Sequence, residues 1–211
     1  MSNILQHNIW NEAIMLHDFH INRHYGRLGE HSPQGRWEGY VENFQYNQAL
    51  AGEVSCYMQI ELLADHPLLV PVVSGWHFDE WSDRYPGTTR AAWTAELAGR
   101  CERDRIPITF VALVDSEAVG SASLVVCDMD TRLDLSPWLA AAYVLPAFRR
   151  RGIATALVTH ALVQARRFGV LQLYLWTDSA VSLYSRLGWR PLAEEPYKGK
   201  PVVVMVCDLT G

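Results

Sequence analysis

Arg149, Arg150 and Arg151 stand directly before Gly152, Ile153 and Ala154. An apolar strand-like stretch precedes them and an amphipathic helical stretch follows. Successive backbone N–H groups at a helix start converge on one point, and the helix dipole adds positive potential there. Gly152 lets the backbone come close to a ligand. Guanidinium groups add charge that reaches phosphate oxygens. The chemistry offered is anion binding, above all of phosphate. Further on, Ala180, Leu183, Tyr184 and Leu187 fall at i, i+3, i+4 and i+7, which predicts one face of a short helix. The Tyr184 hydroxyl can act as a general acid if it comes within hydrogen-bond reach of a leaving group; otherwise it is a core tyrosine. Neither Gly-x-Gly-x-x-Gly nor Gly-x-x-x-x-Gly-Lys-Ser/Thr occurs, so dinucleotide and P-loop sites lose support.

The elements around these residues alternate. Met58–Leu62 reads as a strand, and Asp65-His66-Pro67 opens a helical stretch reaching Trp81. A second helix is expected from about Thr88 to Glu102. Ile106–Val114 and Ala118–Val126 form a hairpin about Asp115-Ser116, with Pro107 at the limit of the paired part. Trp138–Val144 is the next strand. Gly152–Phe168 is the clearest helix, with Arg166 and Arg167 in its last turn and Gly169 as a left-handed cap. Val170–Trp176 is a strand, Asp178 caps the short helix, and Trp189–Pro191 and Pro201–Asp208 are the last strands. The order β-α-α-β-β-β-α-β-α-β-β makes an α/β (α+β layered) domain of about 150 residues.

Before Met58 the pattern is looser. Residues 9–22 could form one amphipathic helix, and 24–53 read as irregular. The expected organisation is therefore an N-terminal extension, 1–57, and a domain, 58–211. The extension is a docking segment, or translation starts at Met58. Trimming 1–57 is expected to leave a folded, ligand-binding domain.

Composition narrows the classes. The chain has 211 residues, 49% of them apolar and 19% charged, with a net charge of −5. That is a globular composition, and it argues against a nucleic-acid binder. The longest apolar run, Trp138–Leu145, is well short of the roughly 20 residues a membrane span requires. No secretory signal is visible, so a cytoplasmic location is expected. Cys56, Cys101, Cys127 and Cys207 form no CxxC pattern and read as reduced thiols. His17, His20 and His24 share helical spacing, but no cysteine completes a metal site, and none is expected.

YVLPAFRRRGIATALV followed by LYLWTDSAVSLYSRLGWRPL resembles the GNAT superfamily of acyl-CoA-dependent N-acetyltransferases. Arg149, Gly152 and Ala154 match its Arg/Gln-x-x-Gly-x-Gly/Ala signature. Ala180, Tyr184, Gly188 and Trp189 match its closing helix. The resemblance implies a mixed, twisted, mostly antiparallel sheet of six or seven strands with helices on both faces. That sheet would splay between its fourth and fifth strands, here Trp138–Val144 and Val170–Trp176. It implies acetyl-CoA as co-substrate in the splay, the pantetheine arm pairing near Tyr143 and Val144. The pyrophosphate would meet the amides of Arg150, Arg151, Gly152, Ile153, Ala154 and Thr155. Tyr184 would protonate the leaving thiolate. Thr177 stands where many members carry a cofactor-contacting Asn.

The fourth strand, WLAAAYV, lacks the Glu base of many relatives. Asp134 and Glu80 are candidates, as are His77, Asp79 and a water chain. Trp76, Phe78, Trp81 and Trp93 lie where relatives line the acceptor pocket, though core packing also explains them. The resemblance implies an N-acetyltransferase acting on a primary amine of a small molecule or peptide, with no nucleic acid or membrane partner and a homodimer left open. The alternative is an acyl-CoA-binding sensor with no turnover.

Overall fold

Apolar alternation, helical periodicity and turn residues produce the expected element order in the computed structural model, which describes residues 20–21, 45–48 and 56–210. The strands are β1 (His20–Ile21), β2 (Gln45–Gln48), β3 (Cys56–Leu62), β4 (Ile108–Val114), β5 (Glu117–Val125), β6 (Trp138–Val144), β7 (Gln172–Thr177), β8 (Arg190–Tyr197) and β9 (Lys200–Asp208). The helices are α1 (Val70–Trp81), α2 (Arg90–Ala98), α3 (Ile153–Arg167) and α4 (Val181–Arg186). They form one sheet in the order β1-β2-β3-β4-β5-β6-β7-β9-β8. Every neighbour pair is antiparallel except β6 and β7. That parallel pair shares a single registered contact, Trp138 with Tyr174. The seven strands from β3 onward are the expected mixed sheet, and it opens where the resemblance implies.

Both faces are covered. On one, Phe110, Leu124, Leu139, Leu173 and Met205 pack against Ile153, Leu157, Ala161 and Ala165 of α3. On the other, Val111 and Leu113 meet Val73 of α1 and Leu97 of α2. Beside them Val125, Trp138, Val202 and Val204 close over Met129. No helix among the described residues is long and apolar enough to cross a membrane.

Several local expectations change. The helical stretch from Asp65 begins as two 3-10 turns, and α1 starts at Val70 with Pro71 in its first turn. Thr89 caps α2 by accepting the Ala92 N–H at 3.2 Å. Thr177, not Asp178, caps the turn into α4, accepting the Ala180 N–H at 2.9 Å. Asp178 is drawn instead to Arg84, at 2.6 Å. The strand expected at Trp189–Pro191 runs on to Tyr197, because its polar residues pair across a tight turn at Lys198 and Gly199, both at positive φ. The helical reading of 9–22 lies outside the described residues except at His20–Ile21, which pair as a strand with Tyr46 and Asn47. Gln45–Gln48, within the stretch read as irregular, pairs with Cys56–Gln59.

Candidate active site

The geometry begins with one extra residue in β6. Ser121 pairs with Tyr143, but Ser123 pairs with Ala140, so β6 carries a bulge, with Ala141 at φ 50°. A bulge reverses the alternation of side chains beyond it. Before it, Trp138 and Ala140 face the Met129 side and Leu139 faces α3. After it, Val144 faces α3, and Tyr143 turns to the rings of Trp76 (6.1 Å) and Trp81 (6.0 Å) of α1. Without the bulge Tyr143 would point into the α3 core. Gly120 makes room opposite, since a Cβ there would stand 2.7 Å from the Tyr143 carbonyl oxygen.

The backbone follows the same phase. The Leu145 N–H donates to the Val119 carbonyl, so the Val144 N–H and C=O point away from β5, into the β6–β7 gap. Arg149 Nε donates to that Val144 carbonyl at 2.9 Å. Its guanidinium lies 5.7 Å from the Tyr143 ring centre and 3.5 Å from the Glu80 carboxylate.

The loop before α3 holds two left-handed residues, Arg150 at φ 64° and Gly152 at φ 76°. A non-glycine residue in this region is strained and concentrates at ligand sites. The first helical bond runs from the Ala156 N–H to the Gly152 carbonyl. The N–H groups of Ile153, Ala154 and Thr155 therefore have no helical acceptor. Arg150 and Arg151 are exposed beside them, Arg151 over the Phe148 ring. This is a positive backbone surface suited to an anion.

Tyr184 comes from α4 and is 9% exposed, packed against Trp189 at 6.0 Å. Burial, and then the charge of Asp128, pushes its hydroxyl up to about 12. It is a phenol at neutral pH, able to donate a proton. Thr177 lies at the C-terminal end of β7, its hydroxyl oxygen engaged as the cap described above.

The expected bases are scattered. Glu80 is half-exposed and turned to Arg149. Asp79 pairs with Arg90. Asp134 is exposed in a two-toothed pair with Arg132, both bonds 3.0 Å, which holds its carboxyl below the ordinary range. It precedes β6 at the end away from Arg149–Gly152, about 20 Å of strand distant; the structure does not bring these together. His77 points inward from α1, 3% exposed and 2.8 Å from Ser121 Oγ. Burial, and then Arg100, lowers its imidazole to about 3, so it stays neutral. The aromatic set divides in two. Trp76 and Trp81 surround Tyr143, while Phe78 meets Trp93, which meets Tyr85. Of the histidine stripe, His17 and His24 lie outside the described residues.

Asp128 was not among the expected residues. It lies in the polar run CDMDTRLDLSP, whose available signal was its apolar Met129. That side chain is fully buried and fixes the position of its neighbours.

Residues 71–189 match the model of the acetyltransferase (GNAT) family. The chain belongs to that family. It is an acyltransferase, and acetyl-CoA is its co-substrate. Solved GNAT structures share the fold. An aminoglycoside 6'-acetyltransferase type Ii superposes with a TM-score of 0.58 at 19% identity, covering 72% of this chain and 97% of its own. An aminoglycoside 6'-N-acetyltransferase complexed with coenzyme A gives 0.58 at 17%, covering 72% and 97%. The ribosomal-protein-S18-alanine N-acetyltransferase from Escherichia coli gives 0.52 at 18%, covering 73% and 95%. No curated protein matches the sequence.

Proposed function

We propose that this GNAT acetyltransferase moves the acetyl group directly onto a primary amine of a small molecule or peptide. The observation that carries the reading is the single registered contact between β6 and β7. It leaves the Val144 N–H facing an open gap, with the left-handed Arg150–Gly152 loop beyond β6 and Tyr184 beyond β7.

The residues present fit acetyl-CoA, which supplies the activated thioester. Tyr143 and Val144 offer a strand edge to its amide-bearing arm. The amides from Arg150 through Thr155 hold the pyrophosphate, with Arg149 and Arg151 adding charge. The Val144 N–H polarises the thioester carbonyl, and aligned donors of this kind are a large part of acyl-transfer catalysis. Tyr184 protonates the departing sulfur. Thr177 sets the turn that aims Tyr184, through its cap. Glu80, bonded to Arg149, ties the acceptor-side helix to the phosphate loop.

Calorimetric titration with acetyl-CoA tests this, with Gly152→Ala as control. One-site binding that weakens at least about tenfold in the variant supports the loop assignment. Thiol release with an amine panel then tests transfer. Binding without turnover of any amine would favour the sensor reading. No binding at millimolar acetyl-CoA would overturn both.

A further inference from the structure

We propose that Asp128 receives the ammonium group of the acceptor and takes its proton. The inference rests on the transfer reading above and narrows the acceptor to a primary amine that arrives charged.

Asp128 sits in the loop that leaves β5 at Val125 and crosses the sheet face on the α1–α2 side. The loop is pinned. Met129 is buried against Trp138, Tyr197, Val202 and Val204. Ser136 Oγ donates to the Val126 carbonyl at 2.8 Å, and Lys198 Nζ donates to Asp130 at 2.9 Å. Tyr197 Oη approaches the Asp128 carbonyl at 3.5 Å. The backbone at Asp128 is therefore held in one place, with the residue half-buried.

The cation whose charge reaches Asp128, Arg100, is paired with Glu96. Asp65, Asp79, Asp130, Asp134, Asp178 and Asp208 each have an Arg or Lys ion pair. Asp128 has none among the described residues. Arg84 and Lys198, near the aromatic side chains around it, are engaged by Asp178 and Asp130. Those side chains are Tyr85, Trp176 and Tyr197, with Trp176 and Tyr197 5.2 Å apart. Aromatic faces attract a cation, more so when water is excluded. The Trp176 Nε1–H is buried without a hydrogen bond of normal geometry, and its pull on the Asp128 carboxyl falls short of one. A half-buried carboxylate with aromatic neighbours and no ion-pair partner among the described residues is completed by an ammonium.

The charges around Asp128 suit proton acceptance. Burial is the main effect and pushes its carboxyl up to about 7, with Glu96 of α2 adding to the rise. Arg100, just past α2, and the Trp176 indole oppose it. From α4, Tyr184 feels its negative charge, as do Tyr85 and Tyr197. Asp128, on the α1–α2 side of the sheet, and Tyr184, on the α3 side, thus lie close enough for the Asp128 charge to reach the Tyr184 hydroxyl. A base works best with a pKa near the operating pH.

The step balances. The ammonium gives one proton to the Asp128 carboxylate, which later releases it to solvent. The freed nitrogen pair forms the C–N bond while the C–S pair leaves on sulfur. The second surplus N–H proton ends on that sulfur through the Tyr184 hydroxyl.

The test is thiol release by wild type, Asp128→Asn and Asp128→Glu between pH 5.5 and 9, with putrescine, kanamycin and tri-alanine as probes. Asp128→Asn is expected to lose at least about 100-fold in kcat/KM. It should keep its acetyl-CoA affinity within twofold and lose the acid limb of the pH profile, which Asp128→Glu retains. A loss below threefold, or an acid limb that persists in the Asn variant, overturns the proposal. If wild type uses none of the three probes, carbon-13 NMR of the Asp carboxyls decides, with Asp128 assigned by its absence in Asp128→Asn. A midpoint near 7 and a signal moved by n-butylammonium support it. A midpoint below 5, or a signal indifferent to the ammonium, overturns it. Loss of acetyl-CoA binding in the calorimetry above would instead strike the transfer reading.

Discussion

Tyr184 shows how a residue's role depends on its surroundings. A buried phenol raised to about 12 stays protonated at neutral pH, so its hydroxyl hydrogen is present to be donated. Tyr184→Phe removes only the hydroxyl and keeps the ring against Trp189. It is expected to lower kcat about 100-fold while acetyl-CoA affinity stays within twofold. An unchanged rate over an amine panel would show that the thiolate takes its proton elsewhere. The placement of Tyr184 on a short helix and of Gly152 before a long one was legible in the sequence, because each belongs to a local run whose spacing sets its geometry. That of Asp128 was not. Asp128 depends on a loop folding over a distant strand pair, and nothing local distinguishes it from Asp130 or Asp134. The resemblance sets Thr177 where many relatives carry a cofactor-contacting Asn, and in the structure its hydroxyl oxygen accepts the Ala180 N–H as a helix cap.

At the scale of elements, the bulge in β6 decides which face each side chain takes. Strict alternation along WLAAAYV would put Tyr143 on the α3 side, and no residue type in that run marks the slip. The order of elements along the chain, the α3 helix and its left-handed exit at Gly169 were legible, since period and turn residues specify them locally. The opposing Gly120 permits the close approach. Gly120→Ala would set a Cβ 2.7 Å from the Tyr143 oxygen and 3.2 Å from Leu157 Cδ1. The expected cost is about 1–3 kcal/mol of stability, with weaker acetyl-CoA binding as β6 is displaced. Denaturant unfolding and calorimetry together check this. A neutral Gly120→Ala would mean that β6 can retreat without disturbing the gap.

For the whole molecule, two buried histidines govern acid stability. Burial lowers His77 to about 3 and His160 to about 4, against 6.5 for the free side chain. Between those values the unfolded chain binds more protons. Stability is therefore full above pH 6.5 and is lost as pH falls toward 4. Asp128, raised from 3.8 to about 7, opposes this over nearly the same window, but as one group against two. The melting temperature is expected to fall by several degrees from pH 7 to pH 4.5, and less steeply in His77→Gln. A flat profile would show that these imidazoles charge in the folded state. We further propose that residues 58–211 form an independent domain, since β3 pairs with β4 along Met58–Leu62. A chain beginning at Met58 should fold and bind acetyl-CoA. Insolubility, or melting far below the full chain, would make the first 57 residues integral.

The gap between β6 and β7 has a thermodynamic meaning beyond catalysis. A sheet joined there by one registered pair leaves rungs of its ladder to be supplied from outside. A ligand laid along β6 supplies them, and it does so only in the folded state. By mass action, a concentration one hundred times the dissociation constant adds about 2.7 kcal/mol to the folded state. The lifetime of this protein in a cell would then follow the local supply of acetyl-CoA, falling as that pool is drawn down.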